Sequence, residues 1–325
     1  MPWPLGITWP SELSAHPAIL LLVVLAARLI PMPAAYHPLM LFRYFAQQLA
    51  AKVNPDPERP RQQLYISGSL ALLVAWLPAM ALLYSLYQFS ELPIVLDALL
   101  LYAGLDWYST QQQAQKIQQR LQTGQLTLAR EQAKSLLCRK TSTLSEMGLT
   151  KALLESLTLR SASHFVGVCL AFVLAGGLGA IGYRLVTELQ QQWNPKRDQY
   201  RYFGAPASAL AGLLTAIPKC ISSLLLAIQH GVLRSYQLCR ATHCFNINRC
   251  SFWLLCCASA ALRRSLGGPV YYNGLKQQRS KIKQPNEPVV TDIQRAVSIL
   301  QFSHLYLLLV IAGGSLLQLV WQLKH

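Results

Sequence analysis

The sequence predicts an all-α, polytopic integral membrane protein with amphipathic helices on its cytoplasmic side. Of its 325 residues, 53% are hydrophobic and only 13% are charged, whereas soluble globular domains are about 25% charged. Several apolar runs approach or exceed the roughly 20 residues that a bilayer core requires. The basic residues are concentrated in the polar segments between those runs. These three observations predict that most of the chain lies in a lipid bilayer.

The apolar runs predict six membrane spans. One of them, 92–107, is shorter than the rest and carries Asp97 and Asp106. A further run at 253–262 is too short to cross and predicts a buried or interfacial helix. Residues 1–16 hold no Lys or Arg, so we expect an uncleaved first span rather than a signal peptide. The other five predicted spans are 17–33, 64–87, 165–186, 205–233 and 299–321.

The distribution of positive charge predicts the topology. With the N-terminus outside, the segments 34–63, 108–164 and 234–298 face the cytoplasm and hold 22 of the 29 Lys and Arg residues. This asymmetry is the positive-inside pattern. Membrane orientation therefore explains the net charge of +16, and we expect no nucleic-acid partner.

A second topology stays open at the two glycine- and proline-interrupted runs. Gly176-Gly177 breaks the run 165–186, and Pro218 breaks the run 205–233. Broken helices are tolerated in membranes where protein shields them from lipid, so each run is either a full span or a re-entrant hairpin. Two hairpins would bring the loop 187–204 to the cytoplasmic face.

The organisation predicted is a single membrane domain, 1–325, with two polar cytoplasmic helical insertions at 108–164 and 234–298. In the first insertion a helix stops near Gly124, and a second helix covers 126–138. Ser142 or Ser145 then caps a helix that runs through 148–157. In the second insertion, the basic run at 276–283 predicts a patch facing anionic lipid.

The segment 139–155 supplies the candidate catalytic residues Arg139, Thr141, Glu146 and Glu155. It is a polar stretch that leads into an amphipathic helix. Glu155 lies on an otherwise apolar helical face, and an acid near the membrane is costly unless it is paired or hydrated. Glu146 has an alternative interpretation as a first-turn acid that the helix dipole favours.

The candidate substrate-binding residues are His37, Arg184, Gly267, Gly268 and Tyr272. His37 precedes a proline at the end of a span, where a plain interfacial turn is the alternative. Arg184 also ends a span, where its side chain either contacts substrate or snorkels to the interface. Gly267-Gly268 would let the backbone approach a phosphate, with a structural turn as the alternative.

Known cofactor and metal motifs are absent from the sequence. It holds no P-loop, dinucleotide-binding fingerprint, hydrolase elbow or zinc motif. Six of the eight cysteines lie between Cys220 and Cys257, but their spacing matches no paired metal site. We predict that they are small buried hydrophobic residues.

Several short motifs occur in a fixed order along the chain. They are His37-Pro38, the block from Arg139 to Ser156, Gly182-Tyr183-Arg184, Tyr200-Arg201-x-Phe203-Gly204, Ile217-Pro218 and the block from Leu266 to Gly274. In this order and spacing they resemble the adenosylcobinamide-phosphate synthase (CobD/CbiB) family of cobalamin biosynthesis. The chain is similar to a divergent member of that family from about His37 to Val297.

The resemblance implies a multi-pass enzyme of the bacterial inner membrane that forms an amide on the cytoplasmic face. Its reaction would join a corrinoid side-chain carboxylate to an aminopropanol derivative at the expense of ATP. The ligands implied are ATP, Mg²⁺ and a corrinoid, with no tightly bound cofactor, and the oligomeric state stays open. Mg²⁺ prefers hard oxygen ligands, and the candidates are Glu146, Glu155, Glu188 and Asp198.

The chain departs from the family pattern mainly at acidic and amide positions. Lys140 and Ser145 stand where the family has Asp, and Arg160 stands where it has Asn. Ala211-Gly212 replaces a pair of Asp residues. These losses support an alternative, a non-catalytic paralogue with a binding, scaffolding or AmpE-like signalling role. A transporter is disfavoured because no inverted repeat is visible.

Overall fold

The computed structural model describes residues 16–32, 37–137, 141–272 and 275–324. It confirms the all-α prediction. The strands in these ranges are four segments of two or three residues. The helices are α1 (His16–Leu29), α2 (Leu39–Val53), α3 (Arg61–Gln88), α4 (Pro93–Gly104), α5 (Trp107–Gln122), α6 (Leu126–Ala133), α7 (Glu146–Ser161), α8 (Gly167–Gln192), α9 (Ala205–Leu214), α10 (Ala216–His230), α11 (Val232–Ala241), α12 (Arg249–Leu262) and α13 (Asp292–Lys324).

Three helical stretches in the described residues are long and apolar enough to cross a membrane. They are Arg61–Gln88, Glu146–Gln192 and Asp292–Leu317. The first and third correspond to the predicted spans 64–87 and 299–321. The pair α9 and α10 qualifies as a fourth if it is taken as one span, and it bends by 45°. That bend lies at Thr215, where α9 ends, and not at Pro218, which lies inside α10.

The 47-residue stretch Glu146–Gln192 folds back on itself at Gly176. Ala175 has non-helical backbone angles, and Gly176 adopts a φ of 62°. His164 Nε2 and Gln191 Nε2 are 2.9 Å apart, whereas a straight helix would separate these residues by about 40 Å. The predicted span 165–186 is therefore a helical hairpin, which is the shape that the re-entrant alternative predicts for this run.

The helix α4 supports the apex of this hairpin. Its 12 residues reach only about 18 Å. The helix that forms in the predicted span 92–107 is therefore too short to cross a bilayer. It packs instead along α8. The buried carboxylate of Asp97 accepts a hydrogen bond from the Gly177 N–H at 2.8 Å. The bend leaves the Gly177 amide without a helical acceptor, and the Asp97 carboxylate supplies one. This contact explains the presence of an acid in an apolar run.

The surface helix α2 is fastened to the returning arm of the hairpin. Trp193 is fully buried, and its indole N–H donates to the Ala46 carbonyl at 3.0 Å. Ala46 and Ala50 are fully buried, whereas Leu41 and Phe45 are exposed. One face of α2 is therefore small and protein-facing, and the other is apolar and free to face lipid.

The first polar insertion follows the sequence prediction in part, because the predicted helix 126–138 ends at Ala133. The helix α5 ends at Gln122, just before Gly124, and Ala129, Ala133, Leu136 and Leu137 are buried. Ser145 is the N-cap of α7, and its Oγ accepts from the Gly148 N–H at 3.2 Å. The helix begins earlier than predicted and continues through a π-helical turn, 162–166, into α8.

The second polar insertion contributes to the hydrophobic core. As predicted, the apolar run at 253–262 lies in a buried helix, α12, which packs against α10, α11 and α7. After α12 the chain forms two short antiparallel pairs. Strand β1 (Leu266–Gly267) pairs with β4 (Lys281–Ile282), and β2 (Val270–Tyr272) pairs with β3 (Leu275–Gln277). The helix α13 then returns to α7, where Ser161 Oγ and His304 Nε2 share a 2.7 Å hydrogen bond.

The predicted first span, 17–33, is helical over His16–Leu29. Fourteen residues rise about 21 Å, which is less than the roughly 30 Å hydrocarbon core. This helix packs against α4, α8 and α13.

Candidate functional site

Two arginines and two carboxylates form a buried ion-pair network between α2, the start of α5 and the returning arm of α8. Arg43 binds Glu188 at two points, with Nε to Oε2 at 2.7 Å and Nη2 to Oε1 at 2.9 Å. Arg184 Nη2 lies 2.5 Å from Glu188 Oε1 and 3.0 Å from Asp106 Oδ2. The Arg184 side chain is fully buried. The snorkelling interpretation of Arg184 is therefore wrong, because this side chain points into the protein.

His37 and His164 flank this network. The His37 Nδ1 accepts a hydrogen bond from the Leu39 N–H at 3.3 Å, so the neutral ring carries its proton on Nε2, which is buried and has no partner in the described residues. Burial lowers the pKa of His37, and the nearby Arg184 and Arg43 act in the same direction, against the opposing carboxylates of Asp106 and Glu188. His37 is thus a neutral hydrogen-bond donor.

His164 has the opposite arrangement. Its Nε2 is the partner of the Gln191 side-chain amide at 2.9 Å, and its Nδ1 lies 3.8 Å from Asp106 Oδ2. With Gln191 donating, the neutral ring carries its proton on Nδ1 and directs it toward Asp106. The carboxylate of Asp106 therefore lies among Arg43, Arg184 and His164.

The network opens into two adjoining polar cavities. The first has a volume of about 150 Å³, and His37, Arg43, Asp106 and Glu188 line it. The second has a volume of about 280 Å³ and contains Glu155. Leu136, Arg160 and Gln191 border both, so the two form one polar groove. The basic residues along the second cavity are Arg160, Lys196, Lys219 and Arg279.

Glu155 fastens the loop after α12 to the groove. Its Oε1 accepts from the Gly267 N–H at 2.8 Å, and its Oε2 pairs with Arg279. The buried Glu155 is thus both paired and hydrogen-bonded, as the cost of a buried acid requires. Arg279, predicted to face anionic lipid, instead lies against Glu155, and its side chain is largely buried.

The two glycines of this loop have backbone conformations that other residues rarely adopt. Their φ angles are 74° at Gly267 and 101° at Gly268. A side chain at Gly267 would also place its Cβ 2.3 Å from the Ser280 carbonyl oxygen. The amide of Gly267 donates to Glu155 and that of Gly268 donates to the Ser280 carbonyl at 2.7 Å. In this conformation both amides donate within the protein and not to a phosphate. This arrangement agrees with the alternative interpretation of Gly267-Gly268 as a structural turn.

The other candidate residues lie apart from the groove or outside the residues that the structure describes. Glu146 is exposed in the first turn of α7, about 14 Å along the helix from Glu155. Thr141 is buried, but it borders neither cavity. Arg139 lies outside the described residues, and Tyr272 is described only through its backbone in β2. The structure thus brings His37 and Glu155 to the groove, with Arg184 and Gly267 bonded to side chains that line it, and leaves Glu146 and Thr141 outside it.

The carboxylates of the groove do not fit a protein-held Mg²⁺ site. Asp106 and Glu188 pair with Arg43 and Arg184, and Glu155 pairs with Arg279. In the ranges that the structure describes, no group of three or more His, Cys, Asp or Glu residues could hold a metal ion. Hard cations need carboxylate oxygens that are not already neutralised by guanidinium groups.

The groove also contains residues that the sequence did not single out as site residues, namely Arg43, Asp106, His164 and Arg279. Asp106 carried a usable signal, because an ionisable residue in an apolar run marks a buried interaction. Arg43 and Arg279 carried none, since each lies in a polar segment rich in basic residues. Only the folding of the chain brings them to carboxylates 145 and 124 positions away.

Comparison with known proteins identifies relatives over most of the chain. Residues 20–300 match the family described as CobD/Cbib protein. A cobalamin biosynthesis protein CobD of Chromobacterium violaceum is 25% identical over 280 residues, which cover 86% of this chain and 90% of the relative. One from Stutzerimonas stutzeri is 25% identical over 290 residues, covering 87% and 92%. A cobalamin biosynthesis protein CbiB of Salmonella typhimurium is 24% identical over 64% of each chain. No solved structure matches the chain.

Proposed function

Because this chain belongs to the CobD/Cbib protein family, we propose that it is an amide-forming enzyme of cobalamin biosynthesis, of the adenosylcobinamide-phosphate synthase type. The substrates would be adenosylcobyric acid, an aminopropanol derivative and ATP. The observation that carries the proposal is the polar groove, in which a buried network of four charged side chains adjoins a cavity lined by basic residues. Keeping such charges near the membrane is costly, and ligand binding is a reason to keep them.

The chemistry proposed has two steps. First, an oxygen of the corrinoid carboxylate attacks the terminal phosphorus of ATP, which forms an acyl phosphate and releases ADP. Second, the amine attacks the acyl carbon, the amide bond forms, and phosphate leaves with a proton released. Both steps place negative charge on phosphoryl oxygens, and fixed cations stabilise such charge.

The residues of the groove have distinct roles in this proposal. Arg160 lies where the two cavities meet and would contact the transferred phosphoryl group, with Lys196 beside it. His37 would donate its Nε2 proton to a substrate oxygen. Arg43 and Arg184 hold Glu188 and Asp106 and are positioning residues. The carboxylates of the groove are already paired with arginines. The basic side chains of the second cavity would therefore neutralise the phosphate charge.

The localisation proposed is the bacterial inner membrane, with several passes and the groove on the cytoplasmic side. The apolar helices and the family membership support a membrane protein, and the positive-inside pattern supports the orientation. The partners proposed are the lipid bilayer and the corrinoid substrate.

Complementation tests the enzyme proposal. A strain that lacks the synthase is given this gene, adenosylcobyric acid and an aminopropanol source, and growth that depends on cobalamin is measured. We expect growth with the wild-type gene and loss of growth with R160Q, whereas the matched variant R120Q on the exposed face of α5 should grow normally. Absence of growth with wild-type protein that is inserted in the membrane would refute the enzyme proposal.

The second candidate function is the non-catalytic paralogue with a binding, scaffolding or AmpE-like signalling role. It is favoured by one specific observation, that the carboxylates of the groove are neutralised by arginines. This candidate predicts binding of a corrinoid to the purified protein without amide formation. Retention of the corrinoid's visible absorbance on the protein, together with no product by mass spectrometry, would distinguish it from the enzyme.

A further inference from the structure

A large apolar groove lies along the hairpin, and its lining includes none of the four side chains of the ion-pair network. Its volume is about 990 Å³, at the upper end of the range of about 300–1,000 Å³ for ligand pockets. It lies between α3, the two arms of the hairpin and the junction of α9 with α10. The residues that form its walls include Trp76, Met80, Leu170, Gly182, Tyr183 and Ile217.

The groove is open toward the apolar surface of the helices. Its floor contains the buried residues Gly167, Gly182 and Val186. Its rim contains exposed apolar side chains, with Leu174 exposed by 74%, Leu213 by 72% and Ile217 by 68%. Exposed side chains of this kind on apolar helices long enough to cross a membrane face lipid. An apolar chain would therefore enter the groove sideways from the bilayer.

One residue of the groove wall carries a polar atom that has no partner in the described residues. Tyr183 is 8% exposed, and its buried hydroxyl makes no hydrogen bond within the described residues. The hydroxyl lies against Gly167, where even a Cβ atom would approach it to 2.1 Å. A buried hydroxyl without a partner costs free energy, and an ester oxygen of a bound molecule would accept its hydrogen bond once the ring turns from Gly167 toward the groove.

A cation follows the groove wall directly in the chain. Pro218 belongs to its wall, and the next residue, Lys219, borders the polar groove together with Thr215. Lys219 is partly buried, and its Nζ donates to Thr215 Oγ1 at 2.9 Å. Within the described ranges, no carboxylate lies at ion-pair distance from it. A single turn of α10 thus joins an apolar groove to an ammonium group that lacks a counter-ion.

We propose that this groove is a binding site for an anionic phospholipid. One acyl chain lies in the apolar groove, the ester region reaches the Tyr183 hydroxyl, and the phosphate pairs with Lys219. An amphiphile of this kind satisfies the apolar walls, the partnerless hydroxyl and the unneutralised ammonium together. The site is separate from the ion-pair network and does not depend on the amide-forming reaction.

Binding of defined lipids to the purified full-length protein tests the site. The delipidated protein in detergent is titrated with phosphatidylglycerol and with phosphatidylcholine of the same acyl chains, and bound lipid is counted by native mass spectrometry. We expect phosphatidylglycerol to bind about fivefold more tightly, the effect of one cation near an anionic headgroup. In K219Q this preference should disappear while both lipids still bind. Inorganic phosphate should not compete, because it lacks the chain.

Filling the groove tests the position of the acyl chain. Ala171 and Ala216 border the groove and are partly exposed, so A171F and A216F should weaken the binding of both lipids by tenfold or more. The matched control is A81F, an exposed position on α3 away from the groove. Equal lipid binding by wild type, A171F and A216F would overturn the proposal. So would equal affinity of the wild type for the two lipids.

Discussion

Arg43 and Glu188 lie 145 positions apart in the chain and form a two-point ion pair, with distances of 2.7 and 2.9 Å. The pair joins the surface helix α2 to the returning arm of the hairpin. It also holds Glu188 against Arg184, whose side chain is fully buried.

Removing the charge of Glu188 should destabilise the protein strongly. In E188Q the buried Arg184 keeps only Asp106 as a carboxylate partner, and breaking a buried pair costs about 3–5 kcal/mol. The measurement is the free energy of unfolding in detergent by chemical denaturation. The control is E131Q, which breaks the exposed pair of Glu131 with Lys134 and should cost less than about 1 kcal/mol. Equal effects of the two variants would contradict the structural role of the network.

The apex of the hairpin should depend on Asp97. In D97A the Gly177 N–H loses its acceptor, and a buried unsatisfied amide costs about 1–3 kcal/mol. G177A should also destabilise, because the added Cβ would lie 2.7 Å from the Asp97 Cα. The control G314A has no atom within 4 Å of the new methyl group and should be neutral or stabilising. Thermal unfolding in detergent measures all three, and an unchanged melting temperature in G177A would contradict the close contact.

Glu155 should control the order of the loop that carries Gly267. In E155A the Gly267 amide and Arg279 both lose their partner, so we expect the segment 263–284 to open. Trypsin would then cleave faster at Arg279 and at the lysines next to it, which mass spectrometry of the fragments measures. E146Q changes an exposed acid on the same helix and should leave the cleavage rate unchanged. Identical fragment patterns in all three proteins would show that Glu155 does not hold the loop.

The stability of the protein should decrease as the pH falls below neutrality, in part because of His37. Burial lowers the pKa of His37 below its usual value of 6.5. At a pH between the lowered pKa of the folded protein and the ordinary pKa of the unfolded chain, the unfolded chain binds a proton that the folded protein does not. Stability therefore rises with pH in this interval. H37Q should reduce the slope of the unfolding free energy between about pH 5 and 7, near the ordinary histidine pKa. H243Q changes an exposed histidine and should preserve that slope.

The hairpin predicts that both of its ends lie on the same face of the membrane. A protease site inserted at Lys196 should therefore have the same accessibility in oriented membrane vesicles as one inserted at Gly124. Opposite accessibility would mean that 165–186 crosses the membrane fully. The contact between His164 and Gln191 makes that outcome incompatible with this fold.

Local sequence signals were sufficient where neighbouring residues determine the structure. The stop near Gly124, the buried face of α6 and the capping of α7 by Ser145 follow from turn, periodicity and capping patterns. Arg184 shows the limit of such signals. A basic residue at the end of an apolar run is equally consistent with snorkelling and with burial, and only the distant Asp106 decided between them. The catalytic roles of Arg139, Thr141, Glu146 and Glu155 stay predictions.

The sequence by itself determined the helical membrane class and the family, because apolar length and the order of motifs are properties of the linear chain. The tertiary structure decided which ionisable groups meet. The chain reverses at Gly176, so Glu188 and Gln191 return to the level of Asp106 and His164. It also decided that the carboxylates of the groove are paired with arginines. Pairing depends on distances in space, and no pattern of nearby residues encodes a contact across 145 positions.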